Sequence, residues 1–283
     1  PLGKGAPAVL HWTRPDEAGN GGVVMIKLVA SDLDGTLLKN GAQALTPEAL
    51  RLIGKLLDRG ILFAPASGRQ YPNLRRLFAP RWNELLFICE NGALTMRHGA
   101  ALSTIPLERE TGEALMRDIL SHDDCEVLLS GRETSYLCPR RRSYSDFVVY
   151  TMKNTVTIVD DLFSVDEEFL KVSAYVHGDG APRVAPAFIE RWGSVVTAAV
   201  SGPAWIDFTV ADKGMAIEAA ARRLGIGRDE MMAFGDNFND VEMLEAVGRP
   251  CLMDTADPAL LERFPCRCAS VEEALAALLA EIS

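Results

Sequence analysis

From residue 26 onward, short apolar runs alternate with helix-length amphipathic segments. That rhythm is the signature of a parallel sheet with crossover helices. Ile26 to Ala30 predicts a first strand ending at Ser31-Asp32. Thr46-Pro47-Glu48 predicts a capped helix start with proline at the first helical position, and Gly60 predicts its stop after Arg59. Ile61 to Ala66 predicts a second strand; Pro65, which has no N–H to donate, is expected near its end. A helix around Tyr71 to Phe78 and a third strand, Leu85 to Cys89, follow.

Past Gly92 the texture changes. Leu94-Thr95-Met96 and Ala101-Leu102-Ser103 flank Arg97-His98-Gly99 as the arms of a hairpin. A helix near Glu108 to Leu120 precedes strand candidates at Glu126 to Leu129, Leu170 to Val176, Val195 to Val200 and Trp205 to Val210. The alternation resumes near Asp212 with a helix to Leu224, a strand Met231 to Phe234, a helix around Asp240 to Val247, a strand Pro250 to Met253 and a closing helix Val271 to Ile282. The expected class is α/β: a doubly wound parallel-sheet core from residues 25–92 and 208–283, with an α+β unit inserted over 93–207. Residues 1–24 are rich in Gly, Pro and Ala and carry no period or long apolar run. Met25-Ile26-Lys27-Leu28 looks like a natural start, so the stretch before it is expected to be an added extension or a misassigned start.

Composition narrows the partners. With 48% hydrophobic residues, mean hydropathy near zero and no apolar stretch approaching the ~18 to 20 residues of a membrane span, no membrane partner is expected. A net charge of −10 leaves no basic surplus for a nucleic-acid backbone. The six cysteines are scattered without a CxxC pair, which fits a reducing cytoplasm, and the four histidines lack zinc-site spacing. Monomer and homodimer both remain open.

Four fragments carry the chemistry: Asp32-Leu33-Asp34-Gly35-Thr36, Ser67-Gly68-Arg69, Lys213-Gly214 and Gly235-Asp236-Asn237-Phe238-Asn239-Asp240. Asp32, Ser67 and Asp236 each follow a predicted strand, and open parallel sheets bind ligands at the carboxyl ends of their strands. Lys213 opens a helix from which its side chain can reach the same edge. Singly, each fragment has a bland explanation: an acidic pair in a surface turn, a serine N-cap, a solvated lysine. Together they supply what phosphoryl transfer needs. Asp32 can attack phosphorus, and Asp34, two residues on and beside other acids, can exchange a proton with the leaving group. Gly35 permits a tight turn whose N–H groups, with that of Thr36, can hold phosphate oxygens. Ser67, Gly68, Lys213 and Asn239 are further phosphate contacts. Asp32 and Asp236 are hard oxygen ligands suited to Mg²⁺, and Asp240 is expected to brace their loop from behind, with help from Asn239.

These residues resemble the haloacid dehalogenase superfamily of aspartate-nucleophile phosphatases, above all its Cof-type hydrolases with a large α/β (type-IIB) cap. Asp32-Leu33-Asp34-Gly35-Thr36-Leu37-Leu38 looks like the first motif, Ala66-Ser67-Gly68-Arg69 the second, Lys213 the third and the Gly235 to Asp240 loop the fourth. Glu90-Asn91-Gly92-Ala93 is similar to the segment by which that type enters its cap. The resemblance implies Mg²⁺ held by the Asp32 and Asp236 carboxylates and by the Asp34 backbone carbonyl. It implies a phosphomonoesterase of small phosphorylated metabolites, sugar phosphates favoured, that works through an aspartyl phosphate. A phosphomutase and a non-catalytic ligand-binding regulator are the alternatives. Met253-Asp254-Thr255-Ala256 stands where such proteins often have Met-Gly-Asn-Ala, so that loop is expected to differ. Within the insertion, Pro139-Arg140-Arg141-Arg142 is either a grip for a second anionic group or a solvated loop.

Overall fold

A computed structural model describes residues 24–282. Residues 1–23, on which the expectation about the start of the chain chiefly bears, lie outside the described residues. The strands in chain order are β1 (Leu28–Asp32), β2 (Leu62–Ala66), β3 (Leu86–Cys89), β4 (Leu94–Arg97), β5 (Ala100–Thr104), β6 (Cys125–Ser130), β7 (Ser135–Leu137), β8 (Val156–Ile158), β9 (Lys171–Val176), β10 (Thr197–Gly202), β11 (Trp205–Thr209), β12 (Met231–Gly235), β13 (Arg249–Met253) and β14 (Arg267–Cys268). The helices are α1 (Pro47–Asp58), α2 (Tyr71–Leu77), α3 (Arg109–Leu120), α4 (Arg142–Asp146), α5 (Ala181–Trp192), α6 (Lys213–Leu224), α7 (Val241–Glu245), α8 (Pro258–Arg263) and α9 (Val271–Glu281).

Two sheets result. The first runs β14-β13-β12-β1-β2-β3-β4-β5, and the second β10-β11-β9-β6-β7-β8. In the first, β14 through β3 are parallel, and β1 lies between β12 and β2. All five residues of β1 are buried, as a central strand covered on both faces requires. Val29, Phe63 and Phe234 pack on one side with Leu52 and Leu56 of α1 and Leu275 and Leu278 of α9. Leu28, Ala64 and Ala233 pack on the other with Ile217 of α6 and Leu244 of α7. Thr46 caps α1 by accepting from the Ala49 N–H at 2.9 Å. Pro65 is the penultimate residue of β2; its donorless nitrogen faces β3, whose pairing with β2 is registered only at Ala66.

The second sheet packs α3 and α5 on one face, and on the other α4 covers only part, where Tyr144 meets Leu128, Tyr175 and Trp205. Val127, Leu129, Val172, Ala174, Ile206 and Phe208 pack against Leu115 and Ile119 of α3 and Ala185 and Phe188 of α5. The intervening residues of the same strands, among them Ser130, Lys171, Ser173, Trp205 and Asp207, line a cleft of about 1390 Å³ shared with the first sheet. Period-two alternation therefore sends one set of side chains under α3 and α5 and turns the other, polar at Ser130, Lys171, Ser173 and Asp207 but apolar at Leu128 and Trp205, toward the cleft. Gln70, at the start of α2, ties the two units by accepting from the Thr155 N–H at 2.9 Å and donating to its carbonyl at 3.1 Å.

Sheet membership differs from the expected boundaries at 93 and 207. The hairpin forms, but β4 pairs antiparallel with β3 and so extends the first sheet; the chain crosses over after Thr104. Leu94 and Met96 bury into the first core, and an alternating hairpin pattern carries no information about which sheet it joins. At the return, β11 keeps Phe208 and Thr209 in the second sheet, and Ala211 is the next residue in the first core. Helix α5 was not expected, because Pro182 and Pro186 mask it. Pro182 sits in the first turn, where N–H groups have no helical partner, so only Pro186 costs a bond.

Candidate active site

The carboxyl ends of β1, β2, β3 and β12 lie side by side, which brings the predicted residues to one edge. Asp32 is the last residue of β1 and is 6% exposed. Its Oδ1 accepts from Lys213 Nζ at 2.5 Å, and the same ammonium donates to Asp240 Oδ1 at 2.6 Å. Lys213 is the first residue of α6, which Asp212 caps by accepting from the Met215 N–H at 2.7 Å. The residue after it must be glycine: a Cβ on Gly214 would lie 2.5 Å from the Glu242 carbonyl oxygen. The helix can thus press against α7 and carry Lys213 under the sheet edge.

Asp32, Asp236 and Asp240 each place a carboxylate oxygen within 4.8 Å of the others. Their roles in that cluster differ. Asp240 is fully buried and already occupied: beyond Lys213, its Oδ2 accepts from the N–H groups of Asp236 (3.0 Å) and Asn237 (3.1 Å). Asp236 Oδ1 accepts from the buried Thr36 hydroxyl at 2.8 Å. Gly35 closes the approach from the other side. At φ +100°, its imaginary Cβ would sit 2.2 Å from Asp236 Oδ2, so the turn admits no side chain.

Burial is the largest influence on the Asp32 carboxyl and raises it to about 8, with Asp240 and Asp236 adding to the rise and Lys213 opposing it. Burial likewise acts to lower Lys213, but the charges of Asp240 and Asp32 outweigh it and the ammonium ends above its usual range. The ammonium, facing two carboxylates, keeps its charge, and that charge favours ionised Asp32 over what burial alone would give. Burial also raises Asp236, against the Thr36 hydroxyl.

Ser67, 2% exposed, follows β2. Its N–H donates to the Ile88 carbonyl at 2.9 Å, its own carbonyl accepts from the Asn91 N–H at 3.0 Å, and its Oγ accepts from the Arg69 N–H at 3.2 Å. A Cβ on Gly68 would come within 3.0 Å of the Asn91 side chain. Asn239 lines the cleft from an exposed turn.

Asp34 departs from expectation. Its carboxylate is held in a two-pronged ion pair by Arg69, at 2.9 Å from Nε to Oδ2 and 2.5 Å from Nη2 to Oδ1. Its neighbour is a cation, where acids were expected, and the carboxylate stands outside the Asp32, Asp236 and Asp240 cluster. Arg69 follows Ser67 by two residues, yet nothing in the local spacing gave it a role.

A family model described as haloacid dehalogenase-like hydrolase matches residues 29–279. The chain belongs to that family. Haloacid dehalogenase-like relatives are similar over most of their length. The 5-amino-6-(5-phospho-D-ribitylamino)uracil phosphatase YbjI of Escherichia coli is 25% identical over 238 residues, 83% of this chain and 88% of its own. The HMP-PP phosphatase of Citrobacter koseri is 26% identical over 253 residues, 85% of this chain and 89% of its own. A crystal structure from Eubacterium rectale superposes with a TM-score of 0.79 at 27% identity, covering 89% of this chain and 99% of its own. A haloacid dehalogenase-like hydrolase from Bacillus subtilis gives 0.76 at 20% identity, covering 88% and 99%, and bears on the fold alone. This haloacid dehalogenase-like chain is accordingly a phosphatase-class hydrolase.

The Arg140 to Arg142 run is not part of the cleft lining. Arg140 donates to the His122 and Leu120 carbonyls, Arg141 to the Asp123 carbonyl at 3.2 Å, and Arg142 faces Asp146 at 3.6 Å. Arg140 and Arg141 thus fasten a loop of the insertion to its own backbone, while Arg142 is exposed. Among the described residues no helix is long and apolar enough to cross a membrane.

Proposed function

We propose that this protein is a Mg²⁺-dependent phosphomonoester hydrolase of small phosphorylated metabolites, sugar phosphates favoured, with Asp32 as nucleophile. One observation carries the reading: Asp32 ends a buried central strand, held by Lys213 at 2.5 Å, with the Asp236 carboxylate close beside it. A nucleophile so fixed needs little reorganisation to meet an in-line phosphorus.

The residues fit a hard divalent cation. Asp32 and Asp236 offer oxygens within one ion's reach, while Asp240 is saturated by Lys213 and two N–H groups and is left to orient the loop. The Asp32 and Asp236 carboxylates would hold it, with the Asp34 backbone carbonyl as the third ligand that the resemblance assigns. When bound, the ion offsets repulsion between the carboxylates and an anionic phosphate ester. The remaining work falls to the chain. An Asp32 oxygen bonds to phosphorus as the bond to the leaving oxygen breaks, and Asp34, once it has parted from Arg69 and taken up a proton from solvent, gives that proton to the leaving alcohol. Water then attacks phosphorus and gives its proton to Asp34, returning the Asp32 carboxylate and free phosphate. Arg69 holds Asp34 in place between the two steps. Ser67 is the proposed phosphate contact, joined by Gly68, Lys213 and Asn239. The Gly35 and Thr36 N–H groups, expected to share this task, instead donate to the Leu38 (3.0 Å) and Leu33 (3.3 Å) carbonyls and close the turn on itself.

The cleft supports a hydroxylated leaving group, since Ser130, Ser173, Asp207 and Asn91 line it together with Trp205. The named substrates of the two relatives are likewise small and phosphorylated. A panel of phosphorylated metabolites, assayed for phosphate release with and without Mg²⁺ and with Asp32→Asn as control, tests the reading. Release without a bisphosphate activator is expected and separates hydrolase from mutase. Release by the parent protein that survives Asp32→Asn unchanged would remove it.

A further inference from the structure

The cleft contains a second buried ammonium that the chemistry above does not use. Lys171, the first residue of β9, is 6% exposed. Its Nζ lies 2.8 Å from Glu90 Oε2, 3.3 Å from Asp207 Oδ2 and 3.1 Å from the Gly68 carbonyl oxygen. Ser130 Oγ donates to the same Glu90 oxygen at 3.1 Å, and Ser173 Oγ to Asp207 Oδ1 at 2.6 Å. The partners come from both sheets. Gly68 and Glu90 follow β2 and β3, whereas Ser130, Lys171, Ser173 and Asp207 stand on adjacent positions of β6, β9 and β11.

Such a cluster is a poor device for stability alone. Taking three charges out of water costs several kcal/mol per ion, and apolar contacts would hold two sheets together as well. The backbone adds to the cost, because Glu90 (φ +51°) and Asn91 (φ +55°) are consecutive non-glycine residues in the left-handed region. That turn does two things. It raises the Glu90 carboxylate toward Lys171, and it locks the loop after β3 to the loop after β2. The Glu90 N–H donates to the Arg69 carbonyl at 3.2 Å and the Asn91 N–H to the Ser67 carbonyl at 3.0 Å. Lys171 sits over both loops at once.

We propose that Lys171 is a positioning residue for phosphate transfer: from the second sheet it fixes the Gly68 carbonyl and the Glu90 carboxylate, and through them the Ser67 hydroxyl. The inference rests on the phosphatase reading and extends it. The phosphate site is complete only when the second sheet is seated, so the inserted half of the molecule also licenses the chemistry. Because the effect acts on the phosphoryl end, which all substrates share, it is independent of the leaving group.

The test uses Lys171→Met and Glu90→Gln in the full chain with Mg²⁺, well below the unfolding midpoint. Turnover is measured with p-nitrophenyl phosphate and with a hexose phosphate, and inorganic phosphate binding by titration calorimetry. Displacing the loop by about 1 Å would lower kcat up to about 100-fold in Lys171→Met. Phosphate affinity is expected to fall about 10-fold, with equal factors on both substrates, and Glu90→Gln to move the same quantities less. The double variant should lose less than the product of the single losses, since the two act through one contact. A purely structural role would lower the melting temperature and leave kcat and phosphate affinity of the folded protein unchanged. That result, or a penalty confined to the hexose phosphate, overturns the proposal. Should Lys171→Met fail to fold, Glu90→Gln decides by the same criteria. Phosphate binding is read without turnover, so a parent that binds phosphate but hydrolyses nothing would strike the phosphatase reading and leave this inference to be judged separately.

Discussion

Two lysines, one at the start of α6 beneath the edge of the first sheet and one on the second sheet, are each nearly sealed from solvent and each lie between two carboxylates. Lys213 joins Asp32 to Asp240, and Lys171 joins Glu90 to Asp207. Burial works against both charges and the paired acids restore them, so both ammonium groups lie above their usual range. The difference is in what they connect. Both partners of Lys213, Asp32 and Asp240, belong to the first sheet and its loops, and Asp32 is the proposed nucleophile. Lys171 reaches across from the second sheet to the backbone beside Ser67. The charge at the reacting centre is thus set inside one unit, while on the proposal above the alignment of the phosphate loop depends on contact between two.

That contrast can be broken at several points. Asp32→Asn removes the proposed nucleophile and should lower phosphate release by at least about 10⁴-fold, read in a discontinuous phosphate assay. Asp34→Asn should cost about 10² to 10⁴-fold through the lost proton transfer, with metal binding by calorimetry unchanged. Undiminished hydrolysis would remove its assigned role. Lys213→Met leaves Asp32 and Asp240 facing each other without a cation. It should cost about 3 to 5 kcal/mol in denaturant unfolding as well as activity. Chelation of divalent ions should abolish turnover, and added Mg²⁺ restore it, while the melting temperature of Lys171→Met relative to the parent stays independent of the chelator. The smallest effect is expected from replacing Arg140, Arg141 and Arg142 together by Ala. Selectivity between mono- and bis-phosphorylated substrates should stay within about 2-fold, as for surface changes generally.

The same contrast explains what the chain disclosed in advance. Asp32, Ser67, Lys213 and Asp236 are readable because each follows a strand end or opens a helix, and parallel-sheet topology places those points together. Lys171, Asp207 and Glu90 have no mutual spacing to read, because they meet only when two sheets face each other. A trace of them exists in the alternation Lys171-Val172-Ser173-Ala174-Tyr175, whose polar positions predict a wet face without naming its partner. Arg69 was in view beside Ser67, but its fork onto Asp34 depends on how two loops approach in space. The β4–β5 hairpin was legible as a hairpin and illegible as part of the first sheet, since pairing with β3 is a tertiary choice. Helix α5 was hidden by Pro186, a local signal that packing of Ala185 and Phe188 overrides.

The central claim is a covalent bond between one carboxylate and phosphorus, and it can be trapped. Enzyme quenched in acid during turnover and reduced with borohydride would carry homoserine wherever an acyl phosphate stood. The account predicts that conversion at position 32 and nowhere else, found by peptide mass spectrometry and absent without substrate. An unaltered Asp32 in enzyme caught mid-turnover, or homoserine at position 34, would contradict it.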